Sequence, residues 1–159
     1  MQNYKFFGPS WFEPPGTQTS TYFGAYYGSD IIKGDSNNYY MIRGYYDNQF
    51  VRYKPTNGQI SNLAPIPTWT YDGARIVYDE DANVIYLVVG STEQKWFSYS
   101  IAGNSWAEIS LDPLPIAPGA GSSIIYDGSR YVYYFRGGNT TSWYRYDKNA
   151  DEANRWSSL

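Results

Sequence analysis

The sequence predicts an all-β chain built from three tandem units, each of four short antiparallel strands. Three observations predict it. Aromatic residues make up 20% of the 159 residues, 19 of them Tyr, and such side chains suit a pleated, half-buried surface. Short β-rich runs alternate with turn residues, and no helical periodicity interrupts them. The runs also recur at one near-constant offset.

The first strand reads Ile31-Ile32, then Ile76-Val77-Tyr78-Asp79, then Ile124-Ile125-Tyr126-Asp127. Turns follow at 34–38, 79–83 and 127–130, rich in Asn, Asp and Gly, which tolerate left-handed backbone or bond their own main chain. The second strand runs into a glycine each time, as Tyr39 to Gly44, Val84 to Gly90 and Tyr131 to Gly137. The third carries an aromatic start and a tyrosine, at Phe50 and Tyr53, Trp96 and Tyr99, and Trp143 and Tyr146. The fourth is centred on Ile60, Trp106 and Trp156. Gly44, Gly90 and Gly137 are spaced by 46 and 47 residues, as are Phe50, Trp96 and Trp143. Ile60 to Trp106 is 46, and Trp106 to Trp156 is 50, the excess fitting a longer turn at 150–153. Four strands per unit at this period is the signature of a β-propeller blade.

The pattern resembles the kelch repeat. Tyr53-Lys54-Pro55-Thr56-Asn57 fits the turn after the third strand, Gly137-Gly138 matches the double glycine, and Trp106 and Trp156 hold the fourth-strand aromatic position. Gly44-Tyr45 and Gly90-Ser91 keep only the first glycine. The resemblance implies a propeller-type array of three blades, at about 28–66, 73–114 and 119–159. Residues 1–27 form an N-terminal segment, read as a ring-closing or capping strand on the strength of Trp11-Phe12-Glu13-Pro14-Pro15-Gly16. Propellers close with four to eight blades, so three leave apolar end faces that favour association. The expectation is a partial propeller or half of a ring closed by oligomerisation, a piece of a larger propeller, or a subunit docked in a larger assembly.

Composition excludes several functions. Cys and His are both absent, which removes thiol chemistry, the commonest general base and the commonest zinc ligand. No metal or cofactor is expected. A net charge of −3 gives no basic patch for a nucleic-acid backbone. No apolar run is long enough for a bilayer, and the first residues lack the basic start and apolar core of a signal peptide. A copper-dependent propeller oxidase would need His and Cys. The nearest approach to a sialidase Asp-box, 98–106, lacks its Asp.

The acids Asp79, Glu80, Asp81 and Asp127 fall in equivalent turns and read as solvated turn residues, not as a glycosidase pair or a Ca²⁺ site. Arg43 and Arg136 hold one repeated position and Arg52 and Arg145 another. Each second-strand arginine is expected near its third-strand neighbour, for anion contact or for pairing with Asp47 or Asp147. The better candidates for binding lie on loops. Second-to-third-strand loops and inter-blade connections emerge on one face, which carries Tyr45, Tyr46, Asp47, Asn48, Trp69, Tyr71, Glu93, Gln94, Asn139 and Thr140. Asn139-Thr140-Thr141 also fits a glycosylation sequon. Aromatic and small polar side chains together make adaptable recognition surfaces. The sequence therefore favours a non-enzymatic interaction module recognising protein or glycan. A structural subunit of a viral capsid or tail is the alternative, and a carbohydrate-active enzyme ranks below both. An extracellular or virion surface is compatible with either leading reading.

Overall fold

Alternating side chains and closely spaced turns commit this chain to hairpins, and hairpins in series build meanders. The structure is a computed structural model that describes residues 25–151 and 154–159. Twelve strands form three separate four-stranded antiparallel sheets, each with its strands in chain order. Sheet 1 comprises β1 (Asp30–Lys33), β2 (Tyr39–Ile42), β3 (Phe50–Lys54) and β4 (Gln59–Asn62). Sheet 2 comprises β5 (Arg75–Asp79), β6 (Val84–Val88), β7 (Trp96–Ser100) and β8 (Ser105–Glu108). Sheet 3 comprises β9 (Ser123–Tyr126), β10 (Tyr131–Phe135), β11 (Trp143–Asp147) and β12 (Trp156–Ser158). The only helical turn among the described residues is a three-residue 3₁₀ turn at Asp35–Asn37. The expected all-β class and the four-strand units are both present. The proposed capping strand falls almost wholly within residues 1–24, outside the described residues.

The sheets stack in a blade-like series, with β1 beside β5 and β5 beside β9. Two cores fill the gaps between them. Between sheets 1 and 2 lie Tyr40, Ile42 and Phe50 on one side and Ile76, Ile85, Leu87, Phe97 and Tyr99 on the other, with Ile66 of the connecting segment. Between sheets 2 and 3 lie Tyr86, Val88 and Trp96 facing Ile124, Val132, Tyr134 and Tyr146, with Leu114. Strand β6 is thus buried on both faces, which explains its unbroken apolar run Val84-Ile85-Tyr86-Leu87-Val88. A strand exposed on one face would alternate.

Register makes the three units superimposable in their pairings. Ile42 faces Phe50, Val88 faces Trp96 and Phe135 faces Trp143. The glycine after each second strand is required by space: Gly44, Gly90 and Gly137 have φ of 75°, 88° and 71°. A Cβ there would strike the backbone of the segment that leads into the same sheet. The fourth-strand tryptophans tie sheets 2 and 3 to the connections before them. Trp106 Nε1 donates to the Ala64 carbonyl at 3.0 Å, and Trp156 Nε1 to that of Asp112 at 3.3 Å.

One turn acid departs from expectation. Asp79 is fully buried, because its sheet-2 turn is overlaid by sheet 3. Lys148 Nζ donates to its Oδ2 at 2.7 Å and to the Tyr126 hydroxyl at 2.7 Å. The backbone N–H groups of Asp81 and Ala82 donate to Oδ1, each at 3.1 Å. Tyr126 in turn donates to Asp81. The equivalent Asp127 does behave as a turn residue, capping the N–H groups of Ser129, Arg130 and Tyr131. Its burial opposes the charge, but those donors prevail and hold its carboxyl below the ordinary range.

Candidate functional site

The loop between β2 and β3 pairs with the segment joining sheets 1 and 2. Asp47 and Thr70 form an isolated antiparallel bridge. Tyr46 N–H donates to the Thr70 carbonyl at 2.9 Å, and Thr70 N–H to that of Asp47 at 2.8 Å. This pairing gathers residues far apart in sequence into one aromatic surface. Tyr46 sits edge-on to Tyr45, Trp69 and Tyr71 with centroids at 5.3, 6.4 and 5.0 Å. Tyr26 stacks on Tyr45 at 5.6 Å, and the Arg43 guanidinium lies over Tyr26 at 5.2 Å.

Tyr71 is half-buried against the core between sheets 1 and 2, but the rings around it are not core. Tyr45, Tyr46 and Trp69 are 54%, 60% and 55% exposed, and Tyr27 beside them is 75% exposed. Tyr27, Tyr45 and Tyr46 border an open cavity of about 290 Å³, lined also by Tyr71, Asp72 and Ser91, and Trp69 stands outside its lining against Tyr46. Its floor is fixed by backbone: Tyr45 N–H donates to the Tyr27 carbonyl at 3.0 Å, and Ser91 N–H to that of Asp72 at 2.9 Å. Tyr45 and Tyr46 both adopt left-handed backbone, with φ of 51° and 57°. Bulky residues rarely do so, and such conformations cluster at binding sites.

Four of the expected residues, Tyr45, Tyr46, Trp69 and Tyr71, therefore meet, and Asp47 is bridged to Thr70 between them in the chain. The others lie elsewhere. Asn48, an exposed residue, accepts at its backbone carbonyl from Ile66 N–H at 2.9 Å. Gln94 does the corresponding work at the second junction, accepting from Leu114 N–H at 2.9 Å and donating to the Pro115 carbonyl at 2.9 Å. Glu93 pairs with Lys95 at 3.2 Å. Asn139 is exposed in the third loop, and Thr140 Oγ1 donates to the Gly137 carbonyl at 2.8 Å. Sequence reasoning missed Tyr26, Tyr27 and Asp72. The signal was the repeat itself, since Tyr26-Tyr27-Gly28 stands where Tyr71-Asp72-Gly73 and Gly119-Ala120-Gly121 stand in the next two units.

The arginine pairs do not come together as expected. Arg52 sits opposite Tyr40, and Arg145 opposite Tyr133. Strand alternation then puts Arg43 and Arg136 on the other face of their sheets. Arg43 pairs with Asp47 at 2.6 Å, one of the two pairings foreseen. Asp147 is instead taken by Arg130, whose Nε donates at 2.7 Å, and this partner holds the Asp147 carboxyl below its usual range. Arg145 lies over the Tyr131 ring at 4.6 Å. The Nε atoms of Arg136 and Arg145 are buried without a hydrogen-bond partner.

No cluster of metal-ligating side chains occurs among the described residues. None of their helices is long and apolar enough to cross a membrane. Compared with protein-family models and with curated proteins, the chain matches none.

Proposed function

We propose that this chain is a non-enzymatic recognition module that binds a glycan or protein partner through the surface of Tyr45, Tyr46, Trp69 and Tyr71. We read its three sheets as kelch-like propeller blades that hold this loop face in place. The observation that carries the reading is the gathering of exposed aromatic rings around an open cavity, at the junction of a loop and a connecting segment. Tyr and Trp offer a large apolar face with a polar tip, at little cost in side-chain entropy. Asp72 and the hydroxyls of Tyr27 and Ser91 supply directional contacts at the rim.

The test is a glycan array probed with the wild-type chain and with Trp69→Ala and Tyr46→Ala. The reading expects selective binding that drops at least about tenfold in each variant, the loss of one buried anchor contact. Equal binding by all three would overturn it. So would turnover of a chromogenic glycoside panel that an Asp→Asn change abolishes. Protein recognition is tested with the same variants in capture of a purified candidate partner.

A further inference from the structure

Each sheet presents two faces, and the two observed junctions use the same pair. Asp30, Ile32, Tyr40, Ile42, Phe50 and Arg52 share one face of sheet 1, by register. Its apolar members pack on sheet 2. The corresponding face of sheet 2, with Tyr86, Val88 and Trp96, packs on sheet 3. The corresponding face of sheet 3 holds Ser123, Ile125, Tyr133, Phe135, Trp143 and Arg145, again by register. Here Ile125 is 62% and Trp143 50% exposed. Between them lies an apolar cavity of about 170 Å³. Strand β10 nevertheless carries an unbroken run of aromatic and aliphatic side chains, Tyr131-Val132-Tyr133-Tyr134-Phe135, of the kind that β6 needs to be buried on both sides.

Fixed backbone contacts say what shape fits there. A Cβ on Gly28 would strike the Tyr71 carbonyl, and one on Gly73 the Gly119 carbonyl, whereas Gly121 at the same position meets open space. Ser122 Oγ donates across the second junction to the Gly73 carbonyl at 2.6 Å. The Gly121 carbonyl is the equivalent acceptor, and Ser29 is the equivalent donor at the opposite end of the array. The opposite-end face, on sheet 1, carries Ile31, Tyr39, Met41, Val51, Tyr53 and Ile60 by register. Those positions in sheet 2 include Ile76, Ile85, Leu87, Phe97 and Tyr99, which meet sheet 1. Ile31 is 57% exposed, where its counterparts Ile76 and Ile124 are buried; Val51 on the same face is buried, and Tyr39, Met41, Tyr53 and Ile60 are half-buried.

We infer that the outer face of sheet 3 docks on the outer face of sheet 1 of a second copy, and reciprocally, closing two chains into one six-sheet ring. The occupant follows from complementarity: the open face needs the β1-side face of a sheet of this repeat, and each copy offers one. Ser29 of the second copy reaches the Gly121 carbonyl, and its Tyr53 meets Arg145, as Tyr99 of sheet 2 lies within the field of Arg52. Head-to-tail contact closes after two chains because six units lie within the range at which such rings form.

The chain has no cysteine, so cross-linking can be directed. Asp30 Oδ2 accepts from Ile76 N–H at 3.0 Å across the first junction. Ser123 and the second copy's Ile31 hold those two positions. Ser123→Cys and Ile31→Cys chains are made separately, mixed and oxidised. The expected result is a two-chain product from the mixture, little from either variant alone, and its loss when Trp143→Glu is added to the Ser123→Cys chain. Circular dichroism checks that this added change, at a half-exposed ring, leaves the sheets intact. No product from the mixture, or equal product from Ser123→Cys alone, overturns the inference.

Discussion

Tyr45 carries the conflict between backbone and function most plainly. It occupies the second position of the repeat's double glycine, where Gly138 has φ of 61° and Ser91 also 61°. A left-handed residue with a Cβ costs about 1–2 kcal/mol, offset by its ring contacts with Tyr26 and Tyr46, each worth about 0.5–1.5 kcal/mol. Tyr45→Gly is therefore expected to change stability by less than about 1 kcal/mol in urea unfolding, since strain relief offsets lost stacking. The same variant loses partner binding. Lys148 behaves differently, because Asp79 beneath it is wholly buried. Removing one member of such a pair strands the other. Lys148→Met is expected to cost about 3–5 kcal/mol, read as a lower denaturation midpoint. A cost below 1 kcal/mol would show the pair to be solvated.

At the scale of the element, position in the stack decides sensitivity. Leu87 lies on a strand covered on both sides, so Leu87→Ala leaves a cavity and costs about 2–5 kcal/mol. Ile125→Ala, on the uncovered face of sheet 3, costs about 0.5 kcal/mol or less at concentrations where the chain is monomeric. Thermal melts of both variants check the contrast, and similar costs would contradict the burial described here. The strands themselves were legible in the sequence. The run from Val84 to Gly90 contains β6, and the expected third-strand runs, from Lys95 and from Ser142, start one residue before β7 and β11. Repetition made them so, because three copies of one pattern expose its anchors. Relations between units were not legible. The burial of Asp79 depends on Lys148, 69 residues away, and no local pattern carries that contact. The arginine pairs failed for a similar reason, since repeat spacing does not say which face a side chain leaves by. Tyr45, Tyr46, Trp69 and Tyr71 were foreseen as loop residues. Tyr26 and Tyr27 were not, because the first unit was drawn from residue 28.

At the scale of the molecule, buried phenols set the alkaline limit of the fold. Burial raises Tyr99 to about 12. It also raises Tyr40, reinforced by Asp35, and Tyr86, reinforced by Asp79, and it raises Tyr134 despite Arg136. These groups ionise more readily in the unfolded chain, near 10.0. Their contribution is thus complete below about pH 10 and is lost as pH rises toward 12 and beyond. Lys148 adds to the same trend: burial opposes its charge, but its bonds to Asp79 and Tyr126 prevail and raise it. The part of the phenolate absorbance that comes from these buried tyrosines should therefore appear together with the change in circular dichroism in an alkaline titration. Early ionisation of all tyrosines in a chain that stays folded would contradict this.

The stacking of three sheets through one repeated pair of faces is the central claim, and it makes the two outer faces complements of each other. Light scattering of the purified 159-residue chain across a dilution series tests that most directly. The expected mass is twice the 18.2 kDa of one chain, steady until dilution separates the halves. A folded species of 18.2 kDa at every concentration, or open-ended growth without a stable two-chain plateau, would contradict it.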